Sequence, residues 1–159
     1  MKVTVVAVGR LKAGPDRELL ERYRDRATRA GRALGLSFDA REIAEGSARS
    51  ADGRKAEEAA AILAAVPAGS VLVVLDERGK PLDSRGFADR LAAWRDTGTK
   101  DLAVAIGGAD GLGPAVLDRA DLRLAFGAMT WPHQLVRILI AEQLYRAVSI
   151  LSGHPYHRD

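Results

Sequence analysis

The hydrophobic positions of this chain alternate between two kinds of run. Lys2–Val8, "KVTVVAV", is β-branched and almost unbroken, which predicts a buried strand. From Pro15 to about Leu34, the residues Leu19, Leu20, Tyr23, Ala27, Ala30 and Leu34 recur at helical spacing. Arg17, Arg24, Asp25, Arg29 and Arg32 take the opposite face. Leu36–Glu42 alternates like a strand with one wet side. Gly46–Arg54 is polar and glycine-bearing, a loop. Lys55–Val66 is an alanine-rich helix stopped by Pro67 and Gly69. Ser70–Asp76, "SVLVVLD", has the continuous apolar character of a central parallel strand. Glu77–Asp83 is expected to turn, and Ser84 to cap a helix through Trp94. Asp101–Ile106 is a further buried strand, followed at once by Gly107–Gly113, "GGADGLG". A short helix from Pro114 to about Ala120, a strand at Leu122–Ala125 and a loop at Gly127–Trp131 come next. Pro132 then opens a last helix that runs to about Leu151. Strand and helix alternate throughout, so the expected class is α/β, with a mainly parallel sheet flanked by helices.

The last helix is apolar around nearly its whole circumference. Leu135, Val136, Ile138, Leu139, Ile140, Ala141, Leu144, Tyr145, Ala147, Val148, Ile150 and Leu151 leave no wet face. A terminal helix of a small domain is hard to cover on every side, which favours packing against a second copy in a homodimer. The alternative is a helix held between the sheet and another helix of the same chain. Arg137, Glu142, Arg146 and Ser149 are its polar exceptions. Glu142 and Arg146 stand four apart and are able to pair. They read either as structural ions or as a polar stripe facing a ligand or RNA.

Composition narrows the picture only a little. The 159 residues suit one domain, 1–159. Cysteine is absent, which excludes disulfides and thiolate metal sites and fits a reducing cytoplasm. His154 and His157 lack a third ligand at metal-binding spacing, so no metal is expected. The apolar run at the start is too short for a signal peptide or a membrane span. Net charge is +3, with arginine supplying 19 of 24 basic residues. Arginine suits phosphate recognition, although coding bias enriches it equally well.

Candidate chemistry gathers in the later loops. Glu77–Pro81, Gly107–Gly113 and Gly127–Trp131 all follow strands, at the end of the sheet where open α/β folds bind ligands. The glycine loop is neither a dinucleotide fingerprint, since Ala109 stands where glycine is needed, nor a phosphate loop, since no Lys-Ser/Thr follows. No nucleophile elbow appears, and a thiol nucleophile is impossible. The residues alone leave open an enzyme that works by positioning, a ribosome-associated protein that holds a nucleotide-like ligand without chemistry, and an enzyme using a nucleoside phosphate.

Four motifs in order, "LDERGKPLDS", "AIGGADGLGP", "MTWPHQLVRILIAEQLYRAVSIL" and "HPYHRD", resemble the RlmH family of SPOUT-class methyltransferases. The resemblance spans the chain and is densest from Val71 onward. It implies methylation of N3 of a pseudouridine in large-subunit (23S) ribosomal RNA, with S-adenosylmethionine as methyl donor. It also implies a homodimer with a C-terminal trefoil knot. Matched to the family's motifs, the donor-binding positions are Leu75, Gly107, Phe126, Gly127, Ala128, Met129, Thr130 and Trp131. Trp131 replaces a commoner aliphatic residue, and "LDERGK" carries an acidic–basic pair where shorter or apolar residues often stand.

The tail "SGHPYHRD" holds two of the three histidines. His154 and Tyr156 are expected to stack on a base and Arg158 to hold phosphate, with Arg137 and Arg146 as further RNA contacts. The alternative is a tail that staples the dimer. Arg17, Arg24, Arg29 and Arg32 offer a non-specific phosphate face. Glu142, His133 and His157 are the candidates for the general base that removes the N3 proton.

Overall fold

The structure is a computed structural model that describes residues 1–158. Five strands form one sheet in the order β2-β1-β4-β3-β5, every pair parallel. They are β1 (Lys2–Val8), β2 (Ser37–Ile43), β3 (Val71–Pro81), β4 (Asp101–Ile106) and β5 (Leu122–Ala125). The helices are α1 (Pro15–Gly31), α2 (Ala51–Ala65), α3 (Ser84–Asp96), α4 (Pro114–Arg119) and α5 (His133–Leu151). A short 3-10 turn, Arg32–Leu34, follows α1.

Alternation along the strands divides the core in two. Val3, Val5 and Ala7 of β1, with Val73, Leu102 and Val104, meet Phe87 and Leu91 of α3 and Ile140 and Leu144 of α5. On the opposite face, Val6, Val8, Leu72, Val74, Ala103 and Ala105 meet Ala59 and Ile62 of α2 and Val116 of α4. Burying each such large aliphatic side chain contributes about 1.5–3 kcal/mol, which fixes the register of every central strand. The outcome is a three-layer α/β domain.

Four expectations change, one of them at α3, which runs to Asp96 and is capped by Asp83, not Ser84. Glu77–Pro81 is strand rather than turn. The β3–β5 ladder breaks after Leu75 and resumes at Lys80–Leu124 and Pro81–Ala125, so the breaker residues sit in an irregular extension of the sheet edge. Helix α2 begins four residues before Lys55, because the Ser50 hydroxyl accepts from the Gly53 amide at 3.1 Å and caps it. Pro132 stands just outside α5, with ψ at 133°, and the helix starts at His133.

The apolar circumference of α5 is accounted for largely within one chain. Arg137, Ile138, Ile140, Ala141, Leu144, Ala147, Val148 and Ser149 are buried. The helix lies over the sheet between α1 and α3. Helix α1 packs alongside it, while Leu135 stays exposed and Leu139, Tyr145, Ile150 and Leu151 are half-buried.

Candidate functional site

A cleft of about 520 Å³ opens at the carboxyl ends of β3, β4 and β5. It is within the usual size of a small-molecule site. Its floor and walls come from three segments that share no sequence proximity. Leu75–Arg78 lies in β3 where its ladder to β5 breaks, Gly107–Leu112 leaves β4, and Leu124–Trp131 leaves β5, while His133 and Val136 close it from the first turns of α5. The three convergent segments read from the sequence therefore meet.

Of the eight positions matched to donor binding, Leu75, Gly107, Phe126, Gly127, Met129, Thr130 and Trp131 line the cleft; Ala128 does not. Gly107 is required by close approach: a Cβ there would lie 2.8 Å from the Gly111 carbonyl carbon. Leu75, Ile106, Leu117, Leu124, Phe126 and Val136 make the apolar part of the wall. The 126–131 segment braces itself, with the Trp131 indole N–H donating to the Phe126 carbonyl at 3.3 Å. The Thr130 hydroxyl reaches Glu77 Oε2 at 3.4 Å, tying this segment to the β3 extension. Met129 is 74 % exposed and Trp131 42 %, so the rim presents apolar surface to solvent.

Lys55 from α2 and Asp76 from β3, outside the segments read from the sequence, also line the cleft, beside Arg78 and Asp110 from within those segments. Asp110 accepts from Arg54 Nε at 2.7 Å. That hydrogen bond holds the Asp110 carboxyl below the usual carboxylate range. Arg54 also donates to the Ala48 and Arg49 carbonyls, so α2 ties the 46–50 segment to the glycine loop. Nothing in residue spacing links positions 54 and 110; only the fold does.

The base candidates separate. His133 lines the cleft. Glu142 and His157 do not line it; they belong to a second cluster where the tail lies on α5. Glu142 Oε1 accepts from Arg146 Nε at 2.9 Å and from the Tyr156 hydroxyl at 3.0 Å, and Oε2 accepts from Gln143 at 2.8 Å. The predicted Glu142–Arg146 pair is thus formed, and it raises the Arg146 pKa. The Arg146 guanidinium lies 4.8 Å from the Tyr156 ring centroid and 3.3 Å from His157 Nδ1. Tyr156 also packs on Tyr145, centroids 4.6 Å apart. Burial, then hydrogen bonds with Tyr23 and Glu142, push the Tyr156 phenol well above its ordinary range. His154 and Arg158 remain exposed.

Arg137 corrects an expectation. It is 2 % exposed and presents nothing to RNA. Its guanidinium donates to the Val8 and Gly9 carbonyls, where β1 leaves the sheet, and pairs with Glu42 at 3.4 Å. Desolvation lowers its pKa, although Glu42 opposes the shift. Arg17, half-buried, donates to the Leu11 carbonyl and to Glu42. No group of acids and histidines among the described residues is arranged to hold a metal, and no helix there is long and apolar enough to cross a membrane.

Comparison with known proteins agrees with this architecture. Residues 1–157 match the family described as "Predicted SPOUT methyltransferase". A protein of Rhizobium etli (strain CIAT 652), named "Ribosomal RNA large subunit methyltransferase H", is 62 % identical over 160 residues, covering 99 % of each chain. Proteins of the same name from Brucella anthropi and Nitrobacter hamburgensis are 60 % and 57 % identical, covering 100 % and 99 % of each chain. With its cleft built from the β3, β4 and β5 ends and its whole length matched, this chain belongs to the SPOUT methyltransferase family.

Proposed function

We propose that this protein transfers a methyl group from S-adenosylmethionine to N3 of a pseudouridine in 23S ribosomal RNA, acting on the assembled ribosome in the cytoplasm as a knotted homodimer. The observation that carries the reading is the cleft itself. It has the volume, the apolar walls and the glycine-permitted backbone approach that a nucleoside-bearing donor requires. End-to-end likeness to proteins named for large-subunit ribosomal RNA methylation supports the substrate class.

Held in the cleft, S-adenosylmethionine supplies a methyl group already activated on a sulfonium. The protein's own contribution is alignment and exclusion of water. Leu75, Ile106, Leu124, Phe126 and Val136 offer an apolar wall, and the Thr130–Glu77 and Trp131–Phe126 bonds keep the 126–131 segment in place. The N3 proton of the target base must be removed. His133 is the candidate on the cleft wall, whereas the Glu142 oxygens are already engaged by Arg146, Tyr156 and Gln143. In the dimer, His154 and Arg158 from a second copy meet the RNA beside the cleft, while Tyr156, packed on Tyr145 and against Arg146, holds that tail in shape. Asp159 lies outside the described residues.

Labelled S-adenosylmethionine, the protein and intact ribosomes are incubated, and the methyl group is mapped. A label at N3 of one 23S pseudouridine is expected. Deleting His154–Asp159 abolishes transfer and spares donor binding; unchanged turnover by the deletion variant overturns the role of the tail.

A further inference from the structure

Glu58 is 5 % exposed, and no established part of the site uses it. It projects from α2 beside the apolar Ala59 and Ile62. One carboxyl oxygen, Oε1, accepts from the Gly46 amide at 2.9 Å. The other, Oε2, is buried and has no hydrogen-bond partner. A buried acceptor without a partner loses its hydration and gains no bond in return, so it destabilises a well-packed interior.

Its surroundings show where a partner would come from. A Cβ on Gly108 would lie 3.0 Å from Oε2 and 3.1 Å from Oε1, so the carboxyl is packed on the backbone of the glycine loop. Gly108 follows directly on Gly107, a wall of the cleft. The same helix grips both neighbours of the cleft. Glu57 accepts from the Ser47 and Ala48 amides at 2.6 and 3.2 Å, and Arg54 binds Asp110 at 2.7 Å. Glu58 lies where these two grips meet: Gly46 on one oxygen, the glycine loop against the other.

We infer that Glu58 is a positioning residue for the donor cleft, its free oxygen taking a hydrogen bond from the glycine-loop backbone when the donor is bound. This rests on reading the cleft as the donor site. The unmade bond destabilises the empty protein, and forming it favours the loaded one. Stability given up at a site and recovered on binding is the usual trade between stability and function.

The test is calorimetric titration of wild-type, E58Q and E57Q protein with S-adenosylmethionine, beside thermal unfolding of each without ligand. E57Q alters the neighbouring grip on Ser47 and Ala48 and is the control. E58Q keeps an acceptor for Gly46 and replaces the second oxygen with an amide. Expected are an unfolding temperature for empty E58Q at or above wild type and a dissociation constant raised about tenfold, as befits one lost hydrogen bond to a carboxyl. E57Q binds as wild type does. Hydrogen exchange at residues 107–113 falls on donor binding in wild type and falls less in E58Q. Wild type that fails to bind the donor overturns the reading of the cleft. Wild type and E58Q binding alike, with equal exchange protection, overturns the role of Glu58 alone. Should E58Q not fold, wild type alone decides: no gain of hydrogen-exchange protection at residues 107–113 on donor binding is likewise fatal to the inference.

Discussion

At the scale of single residues, buried charge has been placed to organise backbone. Arg137 ends the β1 ladder by capturing the Val8 and Gly9 carbonyls and meeting Glu42. R137M keeps the length and the apolar stem but strands both carbonyls and leaves Glu42 with Arg17 and the Leu11 amide. A buried acceptor that loses its partner costs about 1–3 kcal/mol, and urea denaturation of R137M is expected to show a loss of at least that size. Tyr156 gives a prediction in pH. Its pKa lies above the unfolded value of 10.0 because burial and its bonds to Tyr23 and Glu142 favour the neutral phenol. The folded protein thus holds this proton where the unfolded chain releases it. The stabilisation from docking the phenol is complete below pH 10 and declines as pH rises through the folded pKa. Ultraviolet titration of phenolate should find a tyrosine that resists ionisation well above the ordinary phenol range, and Y156F should remove that resistant step. The sequence could place an arginine and a tyrosine at these positions. It could not say that one points inward, because helical spacing alone does not tell a sheet end from solvent.

At the scale of elements, periodicity carried most of the information. β1, β4 and β5 fall on the expected boundaries, since continuous apolar runs flanked by glycine or charge have few other readings. The errors lie where tertiary pairing overrides local preference. The 77–81 segment contains Gly79 and Pro81 and reads as a turn, yet it is drawn into strand by β5. The start of α2 is set by Ser50, a cap whose signal was hidden inside a polar stretch. Capping is a measurable quantity here. The Asp83 carboxyl accepts from the Gly86 amide at 2.7 Å at the head of α3. D83A is expected to lower stability by about 1 kcal/mol, read as a shift in denaturation midpoint with unchanged slope. The cleft segments were legible as glycine and loop composition after strands. Lys55, Arg54 and Glu58 were not, because an alanine-rich helix gives no sign of which of its polar residues faces a distant loop.

At the scale of the whole molecule, the proposed homodimer divides labour between copies. A mixture makes this testable. One variant carries G107A, whose cleft is spoiled by a Cβ 2.8 Å from Gly111, and an intact tail. The other has an intact cleft and lacks residues 154–159. Neither is expected to methylate alone. Refolded together, they recover activity through mixed pairs if the tail serves the neighbouring copy, and recover none if each tail serves its own cleft. Helix α5 sets the terms of that division. His133, at its first residue, faces the cleft, while Glu142 and Arg146, nine and thirteen residues further on, anchor the tail. At 1.5 Å per residue these anchors stand about 14 and 20 Å from the cleft wall along a single straight rod. The helix is therefore a ruler as well as a packing element, and a change in its length would move the tail out of reach without touching one residue of either site.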